Sequence, residues 1–238
     1  MKIVTLNIRQ GGGQRVRAIG AALVDHDADV VVLSEYRASD AARRFASSLA
    51  EAGYRHWADG APERRVNSVA IASRLRFDAV THPLHDSANR HRVIEVAIGS
   101  LTLGAVYFPL NRVKVTFWRE EFLPLAATRI GQPYCFIGDW NTGRHRIDEE
   151  GATFFGAAEF ASLSASGWTD AWRSLHQDAR EYSWYSHAGN GFRLDHAFLS
   201  PSLTPALRSA SFSQHERLEG ITDHAALVVD LDLGVPTA

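Results

Sequence analysis

The chain has 238 residues, 45% of them hydrophobic, with 25 basic and 27 acidic residues and a formal net charge of −2. A chain of this length and hydrophobic content can bury a sizeable core. Its near-neutral charge excludes the histone-like and ribosomal classes of nucleic-acid binder, which rely on a positive field over the whole protein. The single cysteine, Cys135, excludes a disulfide framework and a thiolate metal site.

Strands and helices alternate over the first part of the chain. The run IVTLNI predicts a strand, which a Gly-rich turn and a helix near 15–27 follow. The run DVVVLSE predicts a buried strand, and a second helix is expected around 40–52. Asn7 and Glu35 therefore lie at the carboxyl ends of two predicted strands.

The middle of the chain is rich in β-strand patterns. The runs SVAIAS, RVIEVAIG and LTLGAVYF predict short strands, and a hairpin turn at Gly99 and Ser100 joins the last two. A helix at about 115–130 leads to the strand YCFIGD, and FRLDHAFL, ASFSQHE and AALVVDLDL predict strands in the C-terminal part. Two packed sheets with helices outside them, a layered α/β arrangement, are the expected architecture.

One domain is expected over residues 1–238, because no linker, low-complexity tract or repeat divides the chain. The N-terminus lacks a charged region, a long apolar stretch and a cleavage signal, and no segment approaches membrane-spanning length. We therefore expect a soluble, cytoplasmic monomer with no membrane span.

Five short polar motifs end apolar runs along the chain: LNI, SE, GDWN, RLDH and TDH. A polar group buried without a partner costs about 1 to 3 kcal/mol, so several of them at strand ends predict that they converge on one another or on a metal. In GDWN, Asp139 and Asn141 are two residues apart after a buried strand and can project to one side.

The run FRLDHAFL predicts a strand with Phe192, Leu194 and Phe198 on one face and Asp195 on the other. A carboxylate in such a strand needs a partner. His224 is the candidate, because pairing with a buried carboxylate fixes the imidazole tautomer and raises its basicity.

Nearly all the basic residues are arginines, and many occur in close pairs. Guanidinium forks suit phosphate oxygens, although a solvated surface pair is the simpler interpretation for most of them. The segments around Arg112 and Arg144 adjoin the polar motifs, so these two are candidate phosphate contacts.

In this order, the motifs resemble the endonuclease/exonuclease/phosphatase superfamily of metal-dependent phosphodiesterases, over nearly the full chain. The motif YFP at 107–109 looks like the Tyr-X-Pro motif of the exonuclease III/AP endonuclease branch. The stretch from GWTDAWRSLH through YSWYS to GNGFRLDHAFLS is similar to that branch's segment around its Arg-Ile/Leu-Asp motif. The resemblance implies a four-layer α/β sandwich of two packed mixed β-sheets flanked by helices, with the site at the top between the sheets.

The resemblance also implies a metal site. Glu35 would be the principal ligand of Mg²⁺ or Mn²⁺, with Asp223 and Asn7 at the metal or its water shell. Asp139 would orient and deprotonate the attacking water. Asn141 and Asn7 would hold this water and a phosphate oxygen.

The remaining motif residues would act on the phosphate. Tyr107 would donate a hydrogen bond to it, and His224, paired with Asp195, would stabilise its developing charge. These roles agree with elementary chemistry, because phosphodiester hydrolysis needs a nucleophilic water, neutralised non-bridging oxygens and a stabilised leaving oxygen.

Departures from the family pattern bear on the substrate. Arg9 replaces an acid or amide near the metal and becomes a candidate phosphate contact. Asn111, displaced by one position after Tyr-Phe-Pro, is a candidate substrate-binding residue. Trp184, Phe192 and Leu194 are expected to line an apolar pocket like the one that receives a flipped abasic sugar.

The leading hypothesis is a DNA nuclease that hydrolyses phosphodiesters or 3′-blocking groups, with DNA as its partner and RNA or small phosphoesters as other substrates. An alternative is a phosphatase or phosphodiesterase of small phosphoesters or phospholipid head groups. A scaffold that has lost catalysis is disfavoured, because the set of ligands and base is intact. The sequence leaves open exonuclease against endonuclease activity and one metal against two.

Overall fold

Two mixed six-stranded β-sheets face each other in the computed structural model, which describes residues 1–234. The first sheet contains β1 (Lys2–Asn7), β2 (Val30–Tyr36), β3 (His56–Asp59), β4 (Ser68–Ser73), β13 (Leu207–Ser213) and β14 (Ala226–Leu231). Its spatial order is β13-β14-β1-β2-β4-β3. Strands β1 and β2 are parallel, and the other neighbours are antiparallel.

The second sheet repeats this plan. It contains β5 (Ala79–Thr81), β6 (Val93–Ile98), β7 (Leu101–Tyr107), β8 (Tyr134–Asp139), β9 (Thr169–Asp170) and β12 (Asp195–Leu199). Its order is β5-β6-β7-β8-β12-β9, with β7 and β8 as the parallel pair. A separate hairpin consists of β10 (Trp184–Tyr185) and β11 (Gly191–Phe192).

Helices cover the outer faces of the sheets. The first sheet is covered by α1 (Val16–Asp25) and α2 (Asp40–Glu51). The second is covered by α3 (Val113–Phe117), a π-helical turn (Trp118–Phe122), α4 (Leu123–Arg129) and α5 (Ala157–Ala165). Two short helices, α6 (Ala171–Leu175) and α7 (His215–Leu218), and 3₁₀ turns at Gly13–Arg15, Arg90–Arg92 and Thr204–Ala206 complete the described elements.

Strand alternation explains why the central strands read as continuous apolar runs. In β1, Ile3 points into the core between the sheets, while Val4 and Leu6 pack under the helices. Both faces are therefore apolar, because each sheet is covered on both sides. Under α3 to α5 the outer layer is aromatic, with Trp118, Phe122 and Trp140 fully buried. These four layers confirm the predicted sandwich.

One predicted strand is wrong in extent. Phe192 ends β11, whereas β12 begins only at Asp195. Between them the backbone leaves the ladder, because Ser183 Oγ accepts the N–H groups of Leu194 and Asp195 at 2.9 and 3.2 Å. Phe192 and Leu194 therefore do not share the face of Phe198, which packs under α5.

The predicted helix at 115–130 begins slightly earlier, at Val113, and the predicted strand ASFSQHE ends at Ser213 before α7 begins. Within residues 1–234, no helix is long and apolar enough to cross a membrane.

Candidate active site

One edge of the sandwich collects the polar strand ends. The parallel strands β1 and β2, and likewise β7 and β8, end at this edge, while β12 and β14 begin there because they run antiparallel to β8 and β1. This topology brings together Asn7, Glu35, Tyr107, Asp139 and Asp195, although they are far apart in the chain.

Asn7 connects two carboxylates that belong to different sheets. Its Nδ2 donates to Asp139 Oδ2 at 2.8 Å and to Glu35 Oε1 at 3.3 Å. Its Oδ1 accepts the backbone N–H of Arg9 at 2.9 Å. Because both its donors and its acceptor are engaged, Asn7 orients the two carboxylates.

Asp195 and His224 form a buried pair. His224 Nδ1 lies 2.7 Å from Asp195 Oδ2, and His224 also lines the cavity described below. Burial by itself disfavours the imidazolium, but the charge and hydrogen bond of Asp195 raise the pKa of His224 to about 9. At neutral pH His224 therefore presents a positive charge to the cavity.

Asp139 lies directly opposite Asp195 in the ladder between β8 and β12. Burial and the neighbouring Asp195 carboxylate raise the pKa of Asp139 to about 7, against the opposing effects of His224, Asn141 and Asn7. A carboxyl group with a pKa near neutrality suits a general base.

Glu35 is held by an unusual loop. It has a φ of 58°, and the five residues from Arg9 to Gly13 all have positive φ. The N–H of Gln10 donates to Glu35 Oε2 at 2.7 Å. Glycine is favoured at Gly12, where φ is 73° and an added Cβ would be crowded at 3.0 Å from two neighbouring side chains. The Gly-rich turn therefore positions the Glu35 carboxylate.

A cavity of about 390 Å³ opens beside these residues. Its polar lining includes Glu35, Asn141, Asp223 and His224. The rest of the wall is largely apolar: Leu110, Phe154, Phe155, Trp184, Phe192 and Leu194. The structure thus brings the three predicted pocket residues to the cavity and adds two phenylalanines, which come from a loop without any periodic pattern.

Asn111 and two of the predicted phosphate contacts lie in or beside the cavity. Asn111 lines it, and the Arg112 guanidinium lies 5.4 Å from the ring centre of Phe155. Arg9 is exposed, with its Nε 3.7 Å from Asp223 Oδ2. Arg9 therefore neutralises part of the charge of a predicted metal ligand.

Arg144 is the candidate that the structure does not bring to the cavity. Its Nη2 donates to Ser164 Oγ of α5 at 3.2 Å, and its backbone N–H donates to Asp148 Oδ2 at 2.8 Å. These bonds direct its guanidinium toward α5.

Tyr107 and Asn141 are anchored by neighbours. Asn67 Nδ2 donates to Tyr107 Oη at 3.3 Å, and burial raises the pKa of Tyr107, which keeps the phenol protonated as a donor. Asn141 Nδ2 donates to the backbone oxygen of Phe108 at 2.9 Å. Both side chains are thus held at fixed positions at the ends of β7 and β8.

Several supporting residues escape sequence analysis. Ser183 holds the start of β12, and Thr222 Oγ1 donates to the backbone oxygen of Asn7 at 2.7 Å. Lys114 is buried in the cavity, where its ammonium donates to the backbone oxygen of Asn141. Local sequence gives no signal for Ser183 and Thr222, because serine and threonine are common in loops. Lys114 belongs to the basic segment around Arg112 that adjoins a motif, but VKVTF has the pattern of an ordinary helix and does not predict its burial.

The donor set fits a hydrated, hard divalent cation. The half-buried carboxylate of Glu35 lines the cavity, with Asn7 and Asp139 beside it. Among residues 1–234, no three acidic, His or Cys side chains form a ready-made metal cage. Mg²⁺ normally keeps several waters and binds through one or two carboxylates. Glu35 therefore suits the role of its ligand, with Asp223 at the water shell.

A second buried charge cluster adjoins the site, and we call it the Arg193 network: Asp148, Asp170, Arg173 and Arg193. Arg193 donates through Nε to Asp148 Oδ1 at 2.8 Å and through Nη2 to Asp170 Oδ2 at 2.7 Å. Arg173 Nη2 donates to Asp148 Oδ1 at 2.9 Å. Although burial disfavours the carboxylate, Arg193 and His196 hold the pKa of Asp170 well below its usual range.

A model of the Endonuclease/Exonuclease/phosphatase family matches residues 4–224. None of the curated proteins matches the sequence. Solved structures share the fold. The 3′ phosphatase NExo from Neisseria, bound to a product DNA hairpin, has a TM-score of 0.83 at 24% identity, covering 98% of this chain and 99% of its own. An AP endonuclease from Archaeoglobus fulgidus has a TM-score of 0.83 at 22% identity, covering 98% and 100%. The 3′-5′ exonuclease NExo from Neisseria meningitidis has a TM-score of 0.81 at 24% identity, covering 97% and 99%.

Proposed function

Because the chain belongs to the Endonuclease/Exonuclease/phosphatase family, we propose that it is a Mg²⁺- or Mn²⁺-dependent phosphodiesterase that acts on DNA. One observation carries the proposal: Asn7 bonds Glu35 and Asp139 beside the Asp195–His224 pair. These groups supply a cation ligand, a base and a positive charge, which are the requirements of phosphodiester hydrolysis.

In the proposed reaction, Asp139, oriented by Asn7, takes a proton from the attacking water as the water oxygen bonds to phosphorus. The bond from phosphorus to the leaving oxygen breaks, and this oxygen takes up a proton from solvent. The His224 imidazolium, held by Asp195, stabilises the charge that develops on the scissile phosphate. Tyr107 donates a hydrogen bond to a non-bridging oxygen. When bound at Glu35, the cation supplies further neutralisation of phosphate charge.

The cavity supports DNA as the substrate. Trp184, Phe192 and Phe154 offer an apolar surface for a deoxyribose, and Arg9 and Arg112 lie beside it for the flanking phosphates. NExo, which has the same fold, is bound to a product DNA hairpin. A role in DNA repair, a cytoplasmic location and a monomeric state remain predictions.

A cleavage panel tests the proposal. Purified protein with Mg²⁺, Mn²⁺ or EDTA is given duplexes with a 3′-phosphate at a nick, an abasic site or a recessed 3′-hydroxyl, together with RNA, phosphoinositides and p-nitrophenyl phosphate. We expect metal-dependent cleavage of at least one DNA substrate, abolished by EDTA. DNA left uncut with both metals would contradict the proposal, and hydrolysis of the small phosphoesters or lipids alone would favour the alternative function.

A further inference from the structure

Lys114 places a buried ammonium in the catalytic cavity. The residue belongs to α3, is 3% exposed, and lines the cavity together with Glu35, Asn141 and His224. Lysine is almost never fully buried without a partner of opposite charge. The burial of Lys114 therefore favours a bound anion next to its ammonium.

The composition of the chain makes this lysine conspicuous. The sequence has two lysines, Lys2 and Lys114, among its 25 basic residues. A lysine has a narrow aliphatic stem and a compact charge, whereas an arginine ends in a broad planar fork. The stem passes Gly156, whose added Cβ would lie 3.5 Å from Lys114 Cδ and 2.9 Å from the Trp118 ring. The aliphatic stem of Lys114 is thus packed beside Gly156 and does not extend freely into solvent.

The ammonium of Lys114 is only partly satisfied. It has three N–H donors, and the backbone oxygen of Asn141 accepts one of them. In the part of the chain that the structure describes, no carboxylate forms an ion pair with it. Burial lowers the pKa of Lys114 to about 8, against the opposing charge of Asp139, so the amine is mostly protonated at pH 7. Donors therefore remain for an anion inside the cavity.

On the premise of the proposed function, we propose that Lys114 binds the terminal phosphate of a DNA 3′ end. This contact makes the enzyme favour 3′-phosphomonoesters over internal diesters. A terminal phosphate has one more unesterified oxygen than a diester and, with a second pKa near 6, about one more negative charge at neutral pH. The cavity is already lined by the carboxylates of Glu35 and Asp223. An additional fixed cation offsets the repulsion that this extra charge meets there.

The test compares two reactions on one duplex sequence. One is the removal of a 3′-phosphate, and the other is exonucleolytic cleavage from a 3′-hydroxyl end. Lys114→Met keeps the length of the stem and removes the charge, Lys114→Gln is a second neutral variant, and Lys2→Met is the matched control on the other lysine. We expect both Lys114 variants to lower the ratio of kcat/KM on the 3′-phosphate duplex to kcat/KM on the 3′-hydroxyl duplex by about tenfold or more. Lys2→Met should leave the ratio unchanged.

Because the ratio is taken within each variant, a smaller folded fraction cancels from it. Binding in EDTA gives a readout without catalysis: the wild type should bind the 3′-phosphate duplex about tenfold more tightly than the 3′-hydroxyl duplex, and the Lys114 variants should lose this difference. An unchanged ratio in both variants would overturn the inference while leaving the nuclease proposal intact. A wild type that cleaves the abasic-site duplex but neither 3′ end would likewise overturn the inference alone, and a wild type that cleaves no DNA substrate would instead overturn the proposed function.

Discussion

The proposed active site and the Arg193 network are both buried and charged, but they differ in the balance between positive and negative charges. In the Arg193 network, two carboxylates face two guanidinium groups at hydrogen-bonding distance. In the proposed active site, the three carboxylates of Glu35, Asp139 and Asp195 outnumber two buried cationic groups, the His224 imidazole and the Lys114 ammonium. The difference is visible in the pKa values, because the pKa of Asp170 is lowered whereas that of Asp139 is raised.

The comparison shows how one fold uses buried charge in two ways. A balanced cluster of forked ion pairs fixes the loops that carry it, and breaking such a cluster is costly. An unbalanced cluster holds like charges together and is completed by a cation, a proton or a substrate phosphate. A balanced buried cluster therefore indicates a structural role, and an unbalanced one indicates a binding or catalytic role.

Asp139→Asn gives the largest expected change. Removing the base should lower kcat/KM by about 10³-fold on any DNA substrate that the wild type cleaves. Stability should change by less than about 1 kcal/mol, because the substitution also removes a like charge opposite Asp195. Steady-state kinetics and urea unfolding measure the two effects. A variant that keeps its activity, or loses it only because it unfolds, would remove Asp139 from the proposed mechanism.

Asp170→Asn is the matched substitution in the Arg193 network and should have the opposite effect. It leaves a buried guanidinium partly unpaired, so the free energy of unfolding should fall by about 3 kcal/mol. The value of kcat/KM per folded molecule should stay within about threefold of the wild type, since Asp170 lies outside the cavity lining. Unaltered stability would show that the network is not structural.

Asp139 and Asp170 should each affect how the free energy of unfolding, measured in EDTA, depends on pH. Each group can contribute a slope of at most about 1.4 kcal/mol per pH unit. Asp139 has a raised folded-state pKa, so its contribution is present below pH 4 and is lost as the pH rises toward 7. Asp170 has a lowered pKa, so its contribution is present above about pH 4 and is lost as the pH falls further.

Urea unfolding across pH 3 to 8 checks these signs. Asp139→Asn should flatten the curve between pH 4 and 7, and Asp170→Asn should flatten it below about pH 4. If Asp139→Asn flattened the curve below about pH 4 and Asp170→Asn flattened it between pH 4 and 7, the assigned directions of the pKa shifts would be contradicted.

The fold and the motif positions are largely predictable from this sequence. Buried strands appear as apolar runs, and a carboxylate or amide that ends such a run stands out because a core rejects it. Asn7, Glu35 and Asp139 follow from this rule, and parallel pairing brings their strand ends to one edge.

The sequence says less where a role depends on distant partners. The Arg193 network joins residues that, taken singly, read as ordinary surface charges. The start of β12 at Asp195, rather than at Phe192 as predicted, depends on the Ser183 hydroxyl, twelve residues earlier. Lys114 stands out in the sequence as one of two lysines, but its buried place in the cavity wall is known only from the structure. Arg144 was a candidate phosphate contact because it follows a polar motif in the chain, but its hydrogen bond to Ser164 directs its guanidinium toward α5.

The hydrogen bond from Asn7 to Asp139 spans 132 residues of sequence and crosses from one sheet to the other. Neither sheet can therefore assemble the catalytic groups alone, and separated fragments of the chain would each be inert. During refolding, each sheet can form its own ladders before this bond exists. Recovery of enzymatic activity should consequently report the docking of the two sheets, and so should lag behind the recovery of β-structure.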